Sequence, residues 1–173
     1  MTVVLTYKDR GFAAIRSSIE RLGTYQLRVG LLGQQAQAPH PLRDDITLGE
    51  VGLINEYGSA AAGVPSRPWL RPALTNRRMV ASLFAWAVQD IIRGTPATTV
   101  LHNIGRSLVE VVKRTITSGV GPANAPRTVR EKGHGLTLRH TYTLLNAVTH
   151  EVARGLRGGE SHYDELEVVE GGD

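Results

Sequence analysis

Six histidines, at positions 40, 102, 134, 140, 150 and 162, are the obvious candidates for metal ligation or proton transfer. His134 and His140 stand six apart, and no pair has a spacing usual for a zinc site. His150 precedes Glu151, but neighbours on a strand point to opposite faces, so the two do not make a dyad. There is no cysteine, which removes thiolate nucleophiles, thiolate metal sites and disulfides. No Gly-x-Ser-x-Gly elbow, phosphate loop or zincin motif occurs. Gly30-Leu31-Leu32-Gly33 lacks the remaining glycine and the following helix of a dinucleotide site, and reads as a turn. The sequence predicts no enzyme, no metal and no cofactor.

The arginines offer a different chemistry. Arg67, Arg71, Arg77 and Arg78 gather around Trp69 in a segment braced by Pro65, Pro68 and Pro72. Proline fixes φ, removes a backbone donor and pushes its predecessor to extended geometry. The segment is therefore a stiff strap rather than a buried helix or central strand. Three roles suit it. Tryptophan and arginine are the types most enriched in interface hot spots, which suggests an inter-subunit anchor at Arg67, Trp69, Leu70 and Arg71. Trp69 could equally pack on its own core, and the cluster could stack and neutralise nucleic acid. Arg127, Arg130, Lys132 and Arg139 form a second basic group, either phosphate-facing or simply solvated.

These residues depend on the elements around them. Phe12, Ile15, Ile19 and Leu22 predict an amphipathic helix over Asp9–Leu22, ended by Gly23. Tyr25 to Leu31 alternates as a half-buried strand. Residues 33–46 lack periodicity and read as a long loop. Thr47 and Glu50 have capping-box spacing and predict a short helix carrying Val51, Ile54 and Tyr57 to Gly58. Pro72 suits a first helical residue, and the apolar positions from Leu74 to Ile92 make a stripe wide enough to predict burial. Thr95-Pro96 reads as a cap and start for a further helix to Ser118. Residues 121–126 form a loop, and Thr128–Gly135 is basic and irregular. A short helix near 140–147, a strand near 148–153 and a last edge strand around Tyr163–Val169 complete the reading. The predicted fold class is α+β, a small mostly antiparallel sheet packed by two long helices and shorter ones.

Length sets the scale: 173 residues suit one domain with a real core, here 1–159, followed by an acidic tail, 160–173. The tail holds six of the sixteen acidic residues and no Lys or Arg, so a body with twenty basic and ten acidic groups stands behind the overall +4. Such a body could face nucleic acid or pair with the tail between subunits. No apolar run reaches the ~18 residues of a membrane span, and the first residues lack a signal-peptide pattern. The expectation is a soluble protein made in the cytoplasm, with no membrane partner.

The order of motifs resembles the tail completion, or head–tail joining, proteins of tailed bacteriophages, also called virion morphogenesis proteins. The resemblance rests on Val29-Gly30, on Asn55-Glu56-Tyr57-Gly58, and on the strap Pro65–Ala73. It continues, more loosely, through Pro122, Pro126, Thr128, Lys132-Gly133-His134, Leu138, Thr141 and Leu144. It departs at Tyr142, where glycine is usual, and at Thr137, where proline is. The resemblance implies a non-enzymatic virion protein of the neck or head-proximal tail end, assembled in the host cytoplasm. It implies a ring, with six copies expected, around the DNA channel. Neighbours would be other neck, tail-terminator or tail-tube proteins, with nonspecific contact to packaged DNA. A tail terminator capping the tube is the nearest alternative, and a basic nucleic-acid-binding accessory protein is the alternative from another class. Asn55, Glu56 and Tyr57 join the strap as expected assembly residues.

Overall fold

The computed structural model describes residues 11–139 and 141–155. In chain order these form α1 (Phe12–Leu22), β1 (Tyr25–Gly30), α2 (Gly33–Gln37), β2 (Pro39–His40), β3 (Arg43–Thr47), α3 (Leu48–Tyr57), α4 (Arg71–Leu74), α5 (Arg77–Ile92), α6 (Ala97–Ser118), α7 (Pro126–Lys132), α8 (Thr143–Ala147) and β4 (Thr149–Arg154). The fold is α+β. β1 and β4 pair antiparallel, from Tyr25 opposite Arg154 to Gly30 opposite Thr149, and β2 and β3 make a small antiparallel hairpin.

The 22-residue α6 is the axis of the molecule. Val100, Ile104, Val112 and Ile116 recur at helical spacing and are buried, and the sheet and α1, α4 and α5 all pack against this helix. Gly105 lets β4 approach, because a Cβ there would collide with the ring of His150. Two cores result. Near the C-terminal half of α6, Trp69, Ala73, Val109, Val112, Ile116, Val120, Leu144 and Val148 cluster. Near its N-terminal half, Ala87, Ile91, Val100 and Ile104 form a smaller core, with Leu22 and Leu27 packed against it.

Several sequence expectations need correction. Residues 33–46 are not a loop but α2 followed by the hairpin. The glutamines of α2 carry no apolar period, and the helix is held instead by its fit on α3. Ala36 lies so close that a Cβ on Gly49 would meet its carbonyl at 3.0 Å, and Leu48 N–H donates to the Ala38 carbonyl. The stretch 128–135 is mostly helical, with Pro126 in the first turn and Gly133 at φ 74° closing it. The helix expected from Pro72 is broken at Thr75 and Asn76, and Asn76 Oδ1 caps α5 by accepting from Met79 N–H. Thr95 does not cap α6, which follows Pro96 with no side-chain cap.

The wide stripe on α5 is only partly covered. Ala87 and Ile91 are buried, whereas Phe84, Val88 and Ile92 are 57%, 43% and 57% exposed. α1 packs against both α5 and α6 but has no buried residue of its own. The expected start of α1 at Asp9 and the last strand around Tyr163–Val169 lie outside the described residues. Among the described residues no helix is long and apolar enough to cross a membrane.

Candidate functional site

The Asn55-Glu56-Tyr57-Gly58 motif and the strap are two halves of one structure. α3 begins with the capping box, Glu50 N–H donating to Thr47 Oγ1 and Thr47 N–H to Glu50 Oε2. Its last turn delivers Glu56 into the interior, where the carboxylate is buried. Glu56 Oε2 accepts from the backbone N–H of Trp69 (2.8 Å) and Leu70 (2.9 Å), and Oε1 from that of Arg71 (3.0 Å). Three successive amides thus converge on one buried anion, which they stabilise as charge-assisted donors. The backbone curls here, with Leu70 at φ −100° and ψ −52° leading into α4, and that curl lets the successive amides point the same way.

The chain returns from α3 to the strap through a tight reversal. Gly58 has φ 81°, and a Cβ there would stand 2.8 Å from Ser66 N, so no larger residue fits. Ser59 and Val64 bridge beneath it, and Ser66 Oγ donates to the Glu56 carbonyl at 2.8 Å. Asn55 turns inward and donates Nδ2 to the Val51 carbonyl.

Trp69 is 2% exposed and packs in its own core. Its indole N–H donates to the Gly52 carbonyl at 3.0 Å, and a Cβ on Gly52 would press on Trp69 Cζ2 and Leu31. Arg67 is buried as well: Nε donates to the Pro122 carbonyl and Nη2 to that of Ala123, pinning the 121–126 loop to the strap. Burial alone draws its guanidinium below the ordinary value, yet arginine stays charged. The strap therefore does not present Arg67 and Trp69 outward; both are intramolecular. Leu70 is half-buried, beside Gly30. Only Tyr57 and Arg71 remain at the surface, with the Arg71 guanidinium 5.0 Å above the Tyr57 ring and 3.7 Å from Glu56.

The second basic group does not form one track. Arg127 is exposed and ion-paired with Glu131 at 2.8 Å. Arg130 is exposed on α7. Lys132 turns inward, and burial followed by the nearby Arg67 charge lowers its ammonium. Arg139 is half-buried, and its Nε has no hydrogen-bond partner among the described residues.

Two features escaped the sequence. His102 on α6 and His150 on β4 meet edge-to-face, with Nδ1 and Nε2 3.2 Å apart. They are 48 residues apart, and the one hint is Gly105, one helical turn beyond His102. Burial, then His102 and Arg106, lower His150 from its ordinary value. Among the described residues no group of three or more His, Cys, Asp or Glu could hold a metal ion. The other missed feature is the bare row Phe84, Val88 and Ile92 at i, i+4 and i+8 on α5.

The turn before α8 is informative in a different way. Tyr142 has φ 56°, the left-handed geometry that glycine adopts without strain. Thr137 is buried and clamps Val120, donating Oγ1 to its carbonyl at 2.7 Å and accepting from its N–H.

Searches against protein-family models, curated proteins and solved structures returned no match.

Proposed function

We propose that this chain is a structural subunit of a tailed-phage virion, one that completes the tail and joins it to the head as a ring around the DNA channel. The observation that carries this reading is the uncovered apolar row on α5. Single exposed apolar residues are ordinary, but a contiguous row marks a contact surface. Phe12 and Ile19 on the neighbouring α1 are also exposed. A closed ring needs two different patches, one meeting the other on the next copy. The α1–α5 side supplies one, and the exposed Tyr57–Arg71 pair is the part of the strap that can contribute to the other. The placement in a neck rests on the resemblance in motif order. Arg67 and Trp69 support this role by fixing the subunit's shape.

The tail-terminator alternative shares the ring and differs in place. The DNA-binding alternative has less support, because Arg127 is paired, Lys132 faces inward and Arg139 is half-buried.

Electron microscopy of the purified full chain and of particles tests the proposal. The expected result is a ring, six-fold by the resemblance, lying between head and tail. Phe84→Glu with Val88→Glu should disperse the ring to monomers that melt at an unchanged temperature. A wild-type chain that stays monomeric and leaves no ring in the particle would sink the reading. A ring at the end of headless tails but absent from the neck would favour the terminator.

A further inference from the structure

A cavity of about 510 Å³ lies among α3, the β2–β3 hairpin, the strap, α7 and α8. Leu48, Val51 and Leu144 give it an aliphatic floor. Arg67 and Lys132 stand on its wall, and no acidic side chain among the described residues lines it. A third cation there, Arg43, is already paired with Asp45 at 2.6 Å. Arg67 and Lys132 have no ion pair among the described residues. Arg67 bonds to two neutral carbonyls, which orient it without cancelling its charge. Two like charges share a partly desolvated site, an arrangement that favours an anion between them.

The chain carries a segment of complementary chemistry. Residues 160–173 hold six acidic groups and no Lys or Arg, interleaved with Tyr163, Leu166, Val168 and Val169. The described chain ends at Gly155, whose N–H donates to the Thr24 carbonyl at the far end of β4 from α8. β4 is six residues long, on the order of 20 Å, and α8 at its near end contributes to the cavity. Five to ten extended residues span about 17–35 Å, so the acids from Glu160 onward can return that distance.

We propose that the cavity is a carboxylate-binding site whose occupant is the chain's own acidic C-terminal segment, with acidic groups on Arg67 and Lys132 and aliphatic side chains on the floor. The proposal is independent of the neck assignment. It gives the asymmetric charge distribution a place to act: the tail neutralises an inward-facing pair of cations rather than the outer surface.

Zero-length carbodiimide coupling of the full chain, read by mass spectrometry, tests it. The chain has only three lysines, Lys8, Lys113 and Lys132, so the products are few. The expected product joins Lys132 to an acid within 160–173, forms within one chain in a mixture of light and isotopically heavy protein, and disappears in Lys132→Gln. A second variant leaves the body untouched: Glu160→Gln, Asp164→Asn, Glu165→Gln, Glu167→Gln and Glu170→Gln together. It should raise acetylation of Lys132 relative to Lys113 several-fold. Coupling spread evenly over the lysines, coupling only between chains, or an unchanged acetylation ratio would each overturn the proposal. Protection of Lys132 by added inorganic phosphate in the wild-type chain would also overturn it, since the site would then be open.

Discussion

The two tryptophans mark two ways of handling a large apolar residue beside α6. Trp69 is 2% exposed, bonded through its indole N–H and flanked by amides tied to Glu56. Trp86, on α5, is 40% exposed, and Phe84, on another face of the same helix, is barer still. The strap side is closed because a buried carboxylate, a glycine reversal and three prolines all act on the same few residues. The α1–α5 side has only helical amphipathicity, which orients side chains toward a core without supplying a cover. Local polar satisfaction completes one side within the chain, and the other side leaves apolar residues exposed.

The contrast is most directly broken by truncating each tryptophan. Trp69→Ala should cost on the order of 4 kcal/mol by urea denaturation, since it empties a packed site. Trp86→Ala should cost no more than about 1 kcal/mol, as expected of a surface position. Equal losses would remove the distinction between the sides. Glu56→Ala should behave like Trp69→Ala, because three amide donors lose their acceptor at once and each buried donor left unmade costs about 1–3 kcal/mol.

Smaller effects sharpen the comparison. Tyr57→Ala removes an exposed cation–π partner from Arg71 and should lower stability by about 0.5–1 kcal/mol in the same assay. A loss of several kcal/mol would mean that Tyr57 belongs to the closed side. The His102–His150 contact, on the sheet face of α6, introduces a pH dependence. His150 is held below its ordinary value in the folded chain, so the unfolded chain binds the proton more readily. Stability from this group is complete above the unfolded value and is lost as pH falls toward the folded one. Denaturation at about pH 7.5 and about pH 5.5 should show lower stability in acid, the two conditions bracketing the ordinary histidine value. His150→Gln should flatten that difference.

How much of this was readable in advance depended on range. The capping box at Thr47 and Glu50, the periodic run of α6 and the alternation of β1 are local signals, and each appears where its residues predict. α2 has no apolar period because its stability comes from contact with α3. α7 carries its signals in Pro126, the Arg127–Glu131 pair and Gly133 rather than in apolar spacing, so periodicity does not reveal it. The break before α5 depended on a cap at Asn76 inside an otherwise continuous stripe. At the site, Asn55-Glu56-Tyr57-Gly58 and the strap stood out as motifs, but their union did not. Glu56 binds main-chain amides, and side-chain types on the strap say nothing about where those amides point. Composition leaves open whether Trp69 packs on its own core or faces a partner, and burial keeps both it and Arg67 within the chain.

The grip of Glu56 on backbone amides has a consequence for tracing kinship. A carboxylate that reads main chain is indifferent to the side chain at 71, which is largely exposed, so that position can drift while the architecture persists. What cannot drift is the geometry: the acid at 56, space for the indole at 52, the reversal at 58 and the prolines that aim the strap. A distant relative would then be recognised by an acid and two glycines set ahead of a proline-spaced segment, even after the exposed Arg71 had been replaced.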